Sequence, residues 1–183
     1  MVVRLIAMPG ASAGRRVPDA PVRLVTWDSV RMRVSARVDY AVRALVQLAA
    51  DDSAEPVKAE ALATAQQIPL KFLLEILRQL KQHKLLVSRR GPEGGYTLAK
   101  PAAEIAIADV IRAVEGPLAT VRDTSPAALA YDGPTEPLRT VWIAVRGSLR
   151  HVLEDVTLAD VLSGRLPKHV VAMADKYGVD ERP

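Results

Sequence analysis

Cysteine is absent from all 183 residues. That excludes disulfides, a thiolate nucleophile, a cysteine zinc site and an ordinary cysteine-ligated iron–sulfur cluster. Aromatic residues are scarce, at 4% of the chain, so a core must be built from Leu, Val, Ile and Ala, as in many helical proteins. No apolar run approaches the roughly 20 residues needed to span a bilayer. Near the N-terminus Ala11-Ser12-Ala13 imitates a secretory cleavage site, but Arg4 and Pro9 leave only Leu5 to Met8 as an apolar core. That stretch is too short for a signal peptide, and the expected compartment is the cytoplasm. Catalytic patterns are missing as well: there is no His-Glu-x-x-His, no Gly-x-Ser-x-Gly and no paired-acid constellation. His83, His151 and His169 read as scattered, so no catalytic residue is assigned.

What is present is an uneven charge. The net charge is only +4, yet residues 69–90 hold six Lys or Arg against one acid, Glu75. Such a patch attracts polyanions, although charge alone describes many solvated helix faces.

Residues 1–31, with three prolines, two glycines and scattered arginines, read as a disordered N-terminal extension. Helical spacing then predicts a first helix from Ser35, its N-cap, to about Ala50, with Val38, Ala41, Val42, Leu45, Leu48 and Ala49 inward. A second, from about Lys58 to Gln67, should bury Ala61, Leu62 and Ala65. Pro69 fits the first turn of a third helix. There Leu73, Ile76, Leu77 and Leu80 point inward, while Lys71, Glu75, Arg78 and Gln82 share an outward stripe. Two short strands follow, Leu86 to Arg89 and Tyr96 to Ala99, joined by Gly91, Gly94 and Gly95. The glycines are a poor phosphate loop, because no Lys-Ser/Thr follows them and a strand stands where a helix should start.

A fourth helix is expected over Ala103–Glu115, with Ile107, Val110, Ile111 and Val114 inward and Gly116-Pro117 as its stop. Residues 118–137 read as a loop. From Leu138 to about Val156 a long helix carries Leu138, Val141, Trp142, Val145, Leu149, Val152, Leu153 and Val156 at steps of three and four. A small head cannot cover so long a stripe, and a second copy of the chain is the expected partner. Thr157, with Asp160 three residues on, should cap one last short helix. The division is therefore 1–31 extension, 32–101 winged helix-turn-helix, 102–164 sensor loop and dimerisation helices, and 165–183 tail. The fold class is mainly α, with a small β-hairpin wing and a long C-terminal dimerisation helix.

The segments Arg33-Val34-Ser35-Ala36-Arg37-Val38-Asp39-Tyr40-Ala41, Arg90-Gly91-Pro92-Glu93-Gly94-Gly95-Tyr96-Thr97-Leu98 and Ile107–Gly116 closely resemble the Rrf-two family of winged-helix transcriptional regulators. The wing is the most specific of the three, and the likeness runs from about Met32 to Gly164. It implies a homodimer, held by the long helix, that acts on a partly palindromic operator in double-stranded DNA, most simply as a repressor. By position, Lys71, Leu74 and Glu75 match residues that face bases, and Arg90 and Gly91 match wing residues that enter the minor groove. Leu74 departs from the polar reader common there and suits a thymine methyl. Arg78 and Arg89 complete the expected DNA surface; Val141, Trp142, Val145, Leu149, Val152 and Leu153 form the expected dimer surface.

Many members of that family hold an iron–sulfur cluster on three cysteines between the fourth helix and the dimer helix. Here that stretch has none; by position Glu136 and Arg139 stand near where ligands occur in cluster-binding relatives. No cofactor is expected, nor any metal: Asp123, Asp132 and Glu136 read as solvated acids. A small-molecule or protein effector is a further expected partner, and the alternative function is an interaction module whose DNA binding a partner protein controls.

Overall fold

The computed structural model describes residues 34–51 and 55–178. The expectation for residues 1–31 lies outside them.

Helix α1 (Ala36–Ala49) begins where Ser35 accepts a hydrogen bond from the Val38 amide at 3.2 Å. It is the central strut of the head and touches α2 (Ala59–Gln66), α3 (Leu70–Gln82), α4 (Ile107–Glu115) and α6 (Leu158–Ser163). Its Val38, Ala41, Ala44, Leu45 and Leu48 are buried. Helix α2 corrects the phase expected for it. Ala59, Leu62 and Ala63 are buried, while Ala61 and Ala65 face solvent. With leucine at only one of its eight positions, alanine spacing could not choose the face. Gln67, at φ 54°, is left-handed and turns the chain into α3. The Arg43 guanidinium locks that corner from α1, bonding the Gln66 side chain at 3.2 Å, its backbone carbonyl and Asp39.

Strands β1 (Leu86–Arg89) and β2 (Gly95–Leu98) pair antiparallel, with Leu86 opposite Leu98 and Arg89 opposite Gly95. Val57, just before α2, exchanges two backbone hydrogen bonds with Tyr96 (3.0 and 2.9 Å) and so adds a one-residue third strand.

The fourth helix is shorter than expected. Ala102–Glu104 form a 3-10 turn, Ile105 is extended, and α4 starts only at Ile107. The interruption has a partner: Ala106 bridges Thr157, through Ile107 N–H to Val156 O (2.9 Å) and Leu158 N–H to Ile105 O (3.0 Å). These bonds outweigh four more residues of helix and tuck Ile105 and Leu158 fully into the core. For the same reason α5 (Leu138–Leu153) stops short of Val156, which is buried and gives its carbonyl to the Ile107 amide. Thr157 caps α6 as expected, exchanging bonds with Asp160 at 3.2 and 2.9 Å, and the hydroxyl contact holds the Asp160 carboxyl below its ordinary value.

Residues 118–137 are a loop fastened at Leu118, Pro126 and Leu129, all buried, and by Arg139 bonding the Ala127 carbonyl at 2.8 Å. The region read as a tail contains α7 (Lys168–Tyr177), introduced by Pro167. Small and polar residues gave it no strong period, yet Pro167 at its N-cap is a start signal.

Candidate nucleic-acid interface

Four buried side chains fix the orientation of α3. Leu73, Ile76, Leu77 and Leu80 are at most 1% exposed, which turns Lys71, Leu74, Glu75 and Arg78 outward. Leu74 is 44% exposed, a large apolar side chain on a polar face. No side chain caps the N-terminus of α3.

The hairpin presents Arg89 and Arg90 to solvent at its tip. Its glycines are required by close backbone approach. A Cβ on Gly94 would lie 2.4 Å from the Arg89 carbonyl, and one on Gly95 would lie 2.5 Å from the carbonyl of Val57. Gly91, at φ 105°, occupies a conformation that suits glycine. The Gly94-Gly95 pair thus folds the loop onto itself and lets the wing press against the strand residue before α2.

Helix and wing face a common cleft of about 500 Å³, lined among others by Lys58, Leu74, Arg89, Arg90 and Gly91. Sequence reasoning missed Lys58. Nothing local marks it; only the Val57–Tyr96 pairing brings it beside the wing. Lys81 reaches across to the wing and donates to Ser88 Oγ at 2.6 Å, coupling helix to hairpin.

Two members of the expected surface are engaged with each other. Arg78 donates two bonds to Glu75, at 2.7 and 2.9 Å, and Arg37 of α1 stands 3.7 Å from the same carboxylate. The Arg78 hydrogen bonds, reinforced by the charges of Arg78 and Arg37, hold the Glu75 carboxyl below its ordinary value. Among the described residues Lys71, Arg89 and Arg90 have no such pair and are exposed, so cations stand available at the start of the helix and on the wing.

The expected dimer residues lie together on α5, where no side chain is buried. Val141 is 48% exposed; Trp142, Val145, Leu149, Val152 and Leu153 are half-buried. Among the described residues no helix is long and apolar enough to cross a membrane. The reading of the histidines as scattered is corrected for two of them: His151 and His169 stack at 4.3 Å beside Asp155, brought together by the return of α7 to the end of α5. Their separation of 18 residues, with a helix between, hid this in the sequence. His83 stands apart, its ring Nδ1 3.0 Å from the Gln79 carbonyl.

Helix, tight turn, amphipathic helix and glycine-rich hairpin define a winged helix-turn-helix protein. The Rrf2 family model, described as "Iron-dependent Transcriptional regulator", matches residues 34–164, and the chain belongs to that family. It is 54% identical over 150 residues to the candidate HTH-type transcriptional regulator Rv1287 of Mycobacterium tuberculosis (strain H37Rv), covering 82% of this chain and 93% of that one. To the HTH-type transcriptional regulator IscR of Serratia proteamaculans it is 30% identical over 151 residues, covering 82% and 90%. Among solved structures it is similar to CymR, the global cysteine regulator of B. subtilis (TM-score 0.62, 26% identity, 73% of this chain and 98% of that one). It is also similar to T. potens IscR (TM-score 0.59, 31% identity, 73% and 88%).

The family description implies iron, and the donor set between α4 and α5 does not fit a cysteine-held cluster. With no cysteine in the chain, the exposed carboxylates there are Asp123, Asp132 and Glu136, and Arg139, at the start of α5, carries a guanidinium that does not ligate metal.

Proposed function

We propose that this regulator binds a partly palindromic operator in double-stranded DNA as a homodimer and acts as a repressor in the cytoplasm, with no cluster and no catalytic activity. One observation carries the reading: Leu74, on the outward face of α3 that also exposes Lys71 and Glu75, lines the same cleft as the wing arginines. A duplex entering it would meet Lys71, Leu74 and Glu75 in its major groove and Arg90 and Gly91 in the adjoining minor groove. Arg89 and Lys58 would take phosphates and set register without reading sequence. Leu74 suits a thymine methyl, so a thymine within each half-site is expected.

The half-exposed apolar face of α5, through Val141, Trp142, Val145, Leu149, Val152 and Leu153, supports pairing with a second copy. Twofold pairing of the heads is what a palindromic site requires. An effector, whether small molecule or protein, would act on the 118–137 loop, which is fastened to α5 and so could alter the spacing of the two heads.

The test is a binding titration of Arg90→Ala against operator and random duplex at several salt concentrations. The expected result is a severe loss of operator affinity, at least tenfold, with the dimer intact. Retained affinity at physiological salt removes the wing from the mechanism. A wild type with no operator-over-random preference would instead favour the interaction-module reading.

A further inference from the structure

At the far end of α5, three side chains from two helices and the turn between them converge. His151 lies in the last turn of α5, Asp155 just beyond it, and His169 in the first turn of α7. Asp155 Oδ2 stands 3.6 Å from His151 Nδ1 and 3.5 Å from His169 Nε2. One ligand atom from each residue lies within 4.8 Å of the others.

We propose that His151, Asp155 and His169 bind one divalent first-row transition cation, which fastens α7 to the end of α5. The chemistry selects the class. Two imidazoles and a carboxylate suit Zn2+, Fe2+, Co2+ or Ni2+, whereas Mg2+ and Ca2+ prefer oxygen alone. The spacing agrees: bonds of ~2.0–2.1 Å in a tetrahedron hold ligand atoms about 3.3 Å apart. Two of the three separations already lie within a few tenths of an ångström of that value, and the third is at most 4.8 Å; one ring must turn out of the stack to bring both imidazole lone pairs onto one ion. All three groups reach solvent, the His151 side chain at 59% exposure, so an ion can enter and water can fill the fourth position.

An ordinary ion-pair account fits less well. Both rings approach Asp155 Oδ2 and stack with planes 25° apart, while His169 Nε2 also lies 3.3 Å from the His151 carbonyl. Two imidazolium ions so placed would repel each other, and a single Nε2–H of His169 cannot fully serve both the carbonyl and the carboxylate. A cation between the three converts that crowding into coordination. The site lies away from the DNA-facing cleft and stands independently of how the protein reads DNA.

Metal-free full-length protein titrated calorimetrically with Zn2+, and separately with Fe2+ under anaerobic conditions, tests this. One Zn2+ per chain is expected, with Fe2+ weaker, following the usual order of divalent affinities. Co2+ should give the visible absorption of a four-coordinate nitrogen–oxygen site. His151→Ala and His169→Ala should each weaken Zn2+ binding at least tenfold and abolish the Co2+ spectrum, while His83→Ala changes neither. Asp155→Asn keeps the shape and hydrogen bonding of the site, so its expected tenfold loss is separable from misfolding. Unaltered Zn2+ stoichiometry and affinity in these variants, or no binding at tens of micromolar Zn2+, overturns the proposal.

Discussion

Helices α3 and α5 are both amphipathic and of similar length, 13 and 16 residues, yet the chain completes only one of them. The apolar face of α3 is sealed within the head, against α1, α4 and β1. That of α5 has no buried residue, and Leu138 and Val141 are 38 and 48% exposed. The contrast separates two uses of the same sequence pattern. A stripe whose neighbours lie in its own chain sets the orientation of the face opposite it; a stripe left open would, in the proposed homodimer, set the distance between two copies of that face.

The largest effect should come from opening the sealed stripe. Leu77 is fully buried among the head helices. Leu77→Ala should destabilise the head by about 2–5 kcal/mol, measured by denaturant unfolding, because a close-packed core cannot collapse around the void. A loss below about 1 kcal/mol would mean that α3 is not held as rigidly as its burial indicates.

The open stripe should respond in the opposite sense. Val145→Glu on α5 should leave the head's unfolding midpoint nearly unchanged but shift sedimentation from dimer to monomer. With symmetry lost, operator affinity should fall at least a hundredfold while weak nonspecific binding survives. A variant that remains dimeric would place the interface elsewhere.

How much of this could be read from residues alone followed the size of the side chains. In α3, leucine and isoleucine at steps of three, one and three leave a single choice of buried face, and the structure agrees at all four positions. The wing was legible because glycine is the only residue that fits Gly94 and Gly95 against neighbouring carbonyls. Helix α2 was misphased because its inward face is mostly alanine, whose spacing hardly discriminates. The break at Ile105 and the early end of α5 share one cause, the Ala106–Thr157 bridge, a pairing across 51 positions that no local pattern announces. Long-range pairing likewise hid Lys58 at the cleft and the meeting of His151 with His169.

A smaller effect is expected at the joint between the two regions. Thr157 caps α6 and sits in the bridge that binds α6 to the start of α4. Thr157→Ala removes the hydroxyl that accepts from the Asp160 amide and should cost about 1 kcal/mol in thermal or chemical unfolding. Thr157→Ser keeps that hydroxyl and should restore most of the loss. Equal destabilisation by both variants would assign the effect to the lost methyl.

The smallest change sharpens the comparison within the reading face itself. Glu75 neutralises Arg78 and draws on Arg37, so two of the cations beside the groove are partly spent on an internal pair. Glu75→Gln should release them without disturbing the sealed stripe. Binding to random duplex should tighten modestly, and the slope of log affinity against log salt should steepen by about one unit for each cation that finds a phosphate. Discrimination at any base contacted by Glu75 should relax at the same time, since an acceptor for a cytosine amino group is lost. The pH dependence has a definite sign. Because Arg78 hydrogen bonds hold the Glu75 carboxyl below its ordinary value, the pair is complete above the ordinary carboxylate range and is lost only as pH falls through the lowered value. Wild type should therefore keep its shallower salt slope down through that range and approach the Glu75→Gln slope only below it. Identical slopes for the two proteins at neutral pH would mean that Arg78 reaches DNA with Glu75 still attached.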